Sequence, residues 1–334
     1  MNRVTLIRGD GIGPEIMEAT VRLIEATRAP IEWEEREAGA NAIARHASPL
    51  PEDTLQSIRN NGVALKAPLM TPVGGGYKSV NVTARQELDL YANVRPVKAF
   101  HGVASRYPEC DLVVVRENTQ GLYSGVEHYI DAKKQAAQAV SYISRDASER
   151  VIRFAFEYAM KHQRRKVTLV HKANILKLTT GLFLKVGQEI AQSYPDILFE
   201  ERIVDAMAMQ LVLHPERFDV IVTTNLFGDI LSDLTAGLIG GLGLAPSANI
   251  GEKVSIFEAI HGTAPDIAGK GIANPTALAL SAAMMLRHLG HIEAGNRLEN
   301  ALRSVIAEGA VRTPDLGGTS STTEFTDAVR ARIG

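Results

Sequence analysis

The sequence contains a single cysteine, Cys110. One thiol excludes an intrachain disulfide and any zinc site built on several cysteines, and it fits a reducing compartment. Cys110 stands just before the apolar run Asp111 to Val115 and reads as a small buried filler. Neither sign of charge dominates: 36 Lys and Arg face 38 Asp and Glu. Nothing in that balance calls for a nucleic acid or an anionic membrane as partner. No apolar run is long enough for a membrane span, because the richest one, about 221–244, is broken by Asp and Gly. The opening residues run straight into a strand pattern without a signal-peptide profile, so the expected location is cytoplasmic. No internal repeat and no low-complexity tract is present. The dinucleotide fingerprint G-x-G-x-x-G is missing as well. Gly9-Asp10-Gly11-Ile12-Gly13 has its third glycine one place early, and it reads better as a tight strand-to-helix turn.

What is present is an ordinary globular composition of 334 residues, long enough for about two domains. Strand-like and helix-like stretches alternate, which gives an α/β class. Asp229 and Asp233 stand at i and i+4 and, on a helix, leave from one face. Like charges that close call for a counter-charge, and hard oxygen donors suit Mg²⁺ or Mn²⁺. Two solvated helix acids are the alternative. Upstream, Phe218 to Thr224 reads as a buried strand. Downstream, Leu234 to Leu244 reads as a packed helix, so the acids sit where α/β proteins place ligands.

Other strand ends deliver further chemistry. A helix beginning near Ser79 would present Ser79, Asn81 and Arg85 along one edge, together a carboxylate receptor. Arg95 precedes a proline, so its backbone is extended, at a strand start or a turn. Arg116 follows the strand Asp111 to Val115. Three arginines around one pocket would suit a polyanionic small molecule such as a tricarboxylate, and each alone would be a surface ion pair. Tyr123 reads as a general acid or as a packing residue. Lys172, after the strand Lys166 to Val170, reads as a proton-transfer group or a solvated lysine. Asp205 ends the strand Phe199 to Val204 as a third acid. The glycine-rich stretch 71–76 lets backbone approach a ligand, or is only flexible. Residues 126–144 alternate in places, as a protruding strand pair would.

Six stretches, in order, carry a resemblance: Gly9–Glu15, Leu90–Pro96, Val115–Thr119, His171–Asn174, Asn225–Asp233 and His261–Pro275. Together they resemble the β-decarboxylating dehydrogenases, the family of isocitrate, homoisocitrate, 3-isopropylmalate and tartrate enzymes. The resemblance implies a two-domain α/β fold that is not a Rossmann fold. One domain would combine residues 1–98 and 250–334 and hold NAD. The other, residues 99–249, would carry the metal acids, the dimer interface and a clasp-like arm at about 126–144. A homodimer with shared active sites is implied, with a higher oligomer left open. By motif, Arg85, Arg95 and Arg116 would hold substrate carboxylates, with Asn174 beside them. Asp229 and Asp233 of one subunit and Asp205 of the other would hold Mg²⁺ or Mn²⁺. Tyr123 and the other subunit's Lys172 would handle protons, with Asp205 counted among the catalytic groups.

Substrate and cofactor choice are implied by the same resemblance. Ser79 and Asn81 resemble the isocitrate enzymes, whose polar receptor rejects an apolar analogue because buried donors would go unpaired. The implied activity is oxidative decarboxylation of isocitrate to 2-oxoglutarate and CO₂, a tricarboxylic acid cycle reaction. Homoisocitrate is the runner-up, followed by 3-isopropylmalate and by a non-catalytic regulatory subunit. Thr71, His261, Gly262, Thr263, Ala264, Asp266, Ile267 and Asn274 would contact the cofactor, His261 and Asn274 at its adenine end. Asp266 and Ile267 follow Pro265, at the two places where the NADP-using isocitrate enzymes have Lys-Tyr. A carboxylate there accepts from ribose hydroxyls and repels a 2′-phosphate, so NAD is expected.

Overall fold

The computed structural model describes residues 1–71 and 77–334; Pro72 to Gly76 of the expected glycine-rich loop lie outside the described residues. The strands are β1 (Asn2–Ile7), β2 (Ile31–Glu35), β3 (Val63–Lys66), β4 (Ala92–Lys98), β5 (Asp111–Glu117) and β6 (Glu127–Tyr129). They continue with β7 (Ala137–Ala139), β8 (Lys166–His171), β9 (Leu198–Ile203), β10 (Val220–Thr223), β11 (Pro246–Ile250) and β12 (Ser255–Ala259). The chain divides into two compact units, residues 1–88, 98–108 and 236–334, and residues 89–97 and 109–235. The expected boundaries put 89–97 with the termini, and 99–108 and 236–249 with the middle. The latter stretch lies in the terminal unit because β11 pairs antiparallel with β12, Pro246 opposite Ala259.

In the first unit the strand order is β2-β1-β3-β12-β11, parallel except for β11. This is not the 3-2-1-4-5-6 order of the dinucleotide-binding fold. Helix Thr276–His288 packs on β11 and β12 and is buried nearly all round, which matches its apolar composition. The glycine loop after β1 has a steric reason. Gly9 and Gly11 hold φ of +72° and +60°. A Cβ on Gly11 would lie 2.1 Å from the Thr263 carbonyl oxygen, and one on Gly9 would lie 2.3 Å from that of Pro68. Both are impossible contacts, so glycine lets the loop meet two other backbones. Ile12 N donates to the Thr263 oxygen at 2.9 Å. Asp10 is buried between them and accepts from Met70 N (2.8 Å) and Ala40 N.

In the second unit the order is β4-β5-β10-β8-β9, with β5, β10, β8 and β9 mutually parallel. Residues 112–115, 167–170 and 220–222 are fully buried, the near-continuous runs expected of a parallel sheet covered on both faces. Helix Arg145–Lys161 packs on β5, β8 and β10, and the Ser144 hydroxyl caps it by accepting from Ala147 N. The alternation in 126–144 forms the antiparallel pair β6–β7, whose six residues are all exposed. Asp131 organises its tip by accepting from the backbone N–H groups of Lys133, Gln135 and Ala136.

Three local expectations need correction. Helix Asn225–Leu238 stops at Leu238 and not at Leu244. Gly240 and Gly241 take φ of +117° and +119°, outside helical space, and a short 3₁₀ turn, Leu242–Leu244, follows. Arg95 lies inside β4, so Pro96 does not end that strand. Asp205 is the second residue of helix Val204–Leu213, two residues past the end of β9. Among the described residues, no helix is long and apolar enough to cross a membrane.

Candidate active site

The second unit gathers Arg95, Arg116, Tyr123, Asp229 and Asp233. Arg116 sits at the end of β5, with 1% of its side chain exposed. Its Nε and Nη2 both donate to Asn225 Oδ1, at 3.0 and 2.7 Å, and its Nη1 donates to Asp229 Oδ1. Helix Asn225–Leu238 can lie against that arginine only because residue 228 is glycine: a Cβ there would come within 2.5 Å of the Arg116 stem. Arg95 is held in the same manner. Its Nε donates to Asn93 Oδ1 at 2.7 Å and its Nη1 to Ser232 Oγ at 2.5 Å. The two guanidinium groups also approach the acids, Arg95 Nη2 lying 3.7 Å from Asp229 Oδ1 and Nη1 3.4 Å from Asp233 Oδ1.

The loop after β5 is shaped by Glu117, whose carboxylate accepts from Thr119 N, Thr119 Oγ1 and Gln120 N. It leads to Tyr123, whose ring lies 4.9 Å from the Arg116 guanidinium. The Tyr123 hydroxyl donates to Asp229 Oδ2 at 2.5 Å. Burial, followed by that bond to Asp229, pushes the phenol above its usual range. Asp233 is also raised. Burial is the main cause, with Arg95 pulling the other way and Asp229 adding to the rise. The acids thus share one face at i and i+4, as the spacing predicts.

Lys172 and Asp205 meet each other, Nζ to Oδ1 at 2.5 Å, on a largely exposed edge. The lysine hydrogen bond holds the Asp205 carboxyl below the usual range. Among the described residues, no three metal-capable side chains of this chain come together. The structure therefore brings Asp229 and Asp233 together, and Asp205 lies with Lys172. Two carboxylates supply hard oxygen donors of the kind Mg²⁺ and Mn²⁺ take, but the six positions of such an ion need further ligands.

The first unit holds the remaining candidates. Ser79 is the N-cap of helix Val80–Glu87; its Oγ accepts from Val82 N at 3.5 Å and meets Thr71 Oγ1 at 3.3 Å. Arg85 Nη2 lies 3.4 Å from Glu258 Oε1, and Lys66 Nζ 2.5 Å from Glu258 Oε2. Asn249 Nδ2 donates to the same glutamate at 2.7 Å. Burial alone would raise Glu258, but the two cations and Asn249 outweigh it and bring the carboxyl to about 2. Asn81 Oδ1 and Arg85 Nε, one helical turn apart, are buried without a hydrogen-bond partner among the described residues. His261 Nδ1 faces the Gly262 carbonyl at 3.0 Å, its Nε2 is buried with no partner among the described residues, and burial lowers its pKa. Gly262 and Asp266 are exposed, Thr263, Ala264 and Ile267 partly so, and Ala264 takes φ +39°. Asn274 Nδ2 donates to Asp315 Oδ2 at 2.9 Å. Asn174 is exposed in the turn after Lys172.

Sequence reasoning did not single out Asn93, Asn225, Gly228, Ser232, Lys66 or Glu258. Asn93, Asn225, Gly228 and Ser232 lie inside the recognised stretches, where the acids and arginines drew attention. The acid in the apolar run 254–258 was a visible signal for a buried charge that needs partners.

Residues 3–329 match the family described as isocitrate/isopropylmalate dehydrogenase, and the chain belongs to it. Its members are dehydrogenases that use a nicotinamide cofactor and a divalent metal, and the two-unit α/β architecture found here is theirs. The chain is 52% identical over 326 residues to NAD isocitrate dehydrogenase catalytic subunit 5, mitochondrial, of Arabidopsis thaliana, covering 97% of this chain and 87% of that one. It is 49% identical over 333 residues to 3-isopropylmalate dehydrogenase of Archaeoglobus fulgidus, covering the whole of both. The crystal structure of isocitrate dehydrogenase from Methylococcus capsulatus matches with a TM-score of 0.98 at 56% identity, over 100% of this chain and 99% of that one.

Proposed function

We propose that this chain is an NAD-dependent isocitrate dehydrogenase that forms 2-oxoglutarate and CO₂ with the help of Mg²⁺ or Mn²⁺. The observation that carries the choice of substrate is the unpartnered pair on helix Val80–Glu87, Asn81 Oδ1 and Arg85 Nε. A substrate arm ending in methyl groups would leave both unpaired, at about 1–3 kcal/mol each. A carboxylate arm accepts from Arg85 Nε and, once the Asn81 carboxamide turns, from its Nδ2. The Ser79 hydroxyl stands at the N-cap of the same helix, two residues before Asn81. Arg85, Arg95 and Arg116 are assigned to the substrate carboxylates, with Asn174 beside them.

In the first unit, the buried Nε2 of His261 fits a group that would satisfy it from outside the chain, as a nucleotide base can. Thr71, Gly262, Thr263, Ala264, Ile267 and Asn274 complete the proposed cofactor set. The exposed Asp266 favours NAD over NADP, because a carboxylate repels a 2′-phosphate. When bound, the nicotinamide cofactor would supply a hydride acceptor, and a divalent ion held by Asp229 and Asp233 would supply Lewis acidity. The chain's own residues bind and move protons. Arg95 and Arg116 orient the substrate carboxylates. Tyr123, held protonated by burial and by Asp229, supplies a proton to the carbon that loses CO₂. Lys172, from a second copy, takes part in removing the hydroxyl proton. Because no third metal-capable side chain joins Asp229 and Asp233 among the described residues of one chain, Asp205 of a second copy is the proposed third ligand, and the working form is a homodimer or a higher assembly of it. The buried Cys110 suits a reducing cytoplasm.

The test is a kinetic panel with the purified chain. Isocitrate, homoisocitrate and 3-isopropylmalate are each offered with NAD⁺ or NADP⁺ and Mg²⁺. The expected result is the highest kcat/KM with isocitrate and NAD⁺. A preference for either other acid would replace the substrate assignment. No reduced cofactor from any combination would favour a regulatory subunit instead.

A further inference from the structure

We propose that Asn93 and Asn225 are positioning residues: neutral clamps that aim Arg95 and Arg116 without cancelling their charge. The inference rests on the reading that these arginines bind substrate carboxylates. Both asparagines are buried, Asn93 fully and Asn225 to 1% exposed. Each gives its side-chain oxygen to the Nε edge of one arginine: Arg95 Nε to Asn93 at 2.7 Å, and Arg116 Nε and Nη2 to Asn225 at 3.0 and 2.7 Å. Once Nε is tied, a planar guanidinium cannot turn about its stem, so the direction of its remaining N–H groups is set.

The choice of a carboxamide over a carboxylate follows from the local charge. Arg95 and Arg116 already face Asp229 and Asp233, two cations against two acids. A third carboxylate at either asparagine would make this cluster net negative and repel an anionic substrate. A carboxamide oxygen accepts the same N–H groups at no cost in charge. The first unit solves the matching problem differently. There Arg85 is held by the acid Glu258, and Lys66 restores the positive balance. Asn225 does one thing more: its Nδ2 donates to the Gln120 carbonyl at 3.0 Å, tying Arg116 to the loop that leads to Tyr123.

The test uses full-length Asn225→Ala and Asn225→Asp, alone and combined with Arg116→Ala, with isocitrate as probe. Wild-type turnover of isocitrate is measured first; its absence defeats the underlying reading and not this one. In an active wild type, Asn225→Ala should raise KM for isocitrate about tenfold, the loss of a hydrogen bond to a charged group, with kcat changed less. The same change in the Arg116→Ala background should have little further effect, because the asparagine acts through that arginine. Asn225→Asp keeps size and acceptor and so tests the charge argument even if the alanine variant fails to fold. It should raise KM at least as much, and because aspartate cannot donate to the Gln120 carbonyl the melting temperature should fall as well. A wild-type KM in Asn225→Asp, or additive losses in the Asn225→Ala/Arg116→Ala pair, would overturn the proposal.

Discussion

The Tyr123 hydroxyl donates to Asp229 Oδ2 at 2.5 Å, on the carboxylate whose other oxygen takes Arg116. The strongest acid–base candidate in the second unit is thus hydrogen-bonded to one of the two helix acids. Burial and that bond raise the phenol above its ordinary range. Tyr123 therefore keeps its proton throughout the neutral range. Tyr123→Phe should lower kcat by about 10²–10⁴, the span of general acid–base catalysis, with a smaller effect on KM. Steady-state kinetics at several pH values check this, and wild-type kcat in the phenylalanine variant would remove Tyr123 from the chemistry.

Asp229→Asn keeps the shape of the side chain and removes its charge. Mn²⁺ affinity and turnover should fall together. Titration of Mn²⁺ by electron paramagnetic resonance reads the first independently of catalysis. Unchanged Mn²⁺ binding would refute the metal role of this acid.

Gly228→Ala places a methyl where the Arg116 stem already lies, within 2.5–2.6 Å of its Cβ and Cγ. Either the helix or the arginine must move. Overpacking of this kind costs about 1–3 kcal/mol, and the urea midpoint should fall accordingly. Isocitrate KM should rise in the same variant, because Arg116 is the group displaced.

Glu258 has its carboxyl brought down to about 2 in the folded chain, from 4.5 when unperturbed, against a burial effect that would raise it. A depressed carboxyl stabilises the fold above its unfolded pKa, and that contribution is lost as pH falls from about 4.5 to about 2. Glu258→Gln leaves Lys66 and Arg85 buried without their counter-charge. It should destabilise the protein by about 3–5 kcal/mol at pH 7, and the gap to wild type should narrow toward pH 3. Chemical unfolding at the two pH values checks both the size and the sign.

Much of this site was legible because it rests on short spacings. Asp229 and Asp233 lie on one face because i and i+4 always do on a helix, and a buried apolar run such as 111–115 delivers Arg116 to its end. The helix over 275–289 and the exposed strand pair in 126–144 followed from the same periodicities. The sequence pattern runs past the end of helix Asn225–Leu238, because glycines at 240 and 241 fit a helical pattern by size. Only their backbone angles show that they leave it. β11 has no local signature, since an antiparallel strand beside β12 is identified by its partner and not by its own five residues.

By itself the sequence determined the class of chain, an α/β dehydrogenase of the isocitrate/isopropylmalate family, and the acids and arginines worth testing. Both are carried by residue type and by order along the chain. The tertiary structure decided which groups bond to one another: Glu258 with Lys66 and Arg85, Asn225 with Arg116, Asn93 and Ser232 with Arg95, and Lys172 with Asp205. Except for Asn93 with Arg95, two residues apart on one strand, these pairs join positions from about thirty to nearly two hundred residues apart. No local pattern encodes such contacts, because the meeting of two side chains is settled by how strands and helices pack and not by either residue alone.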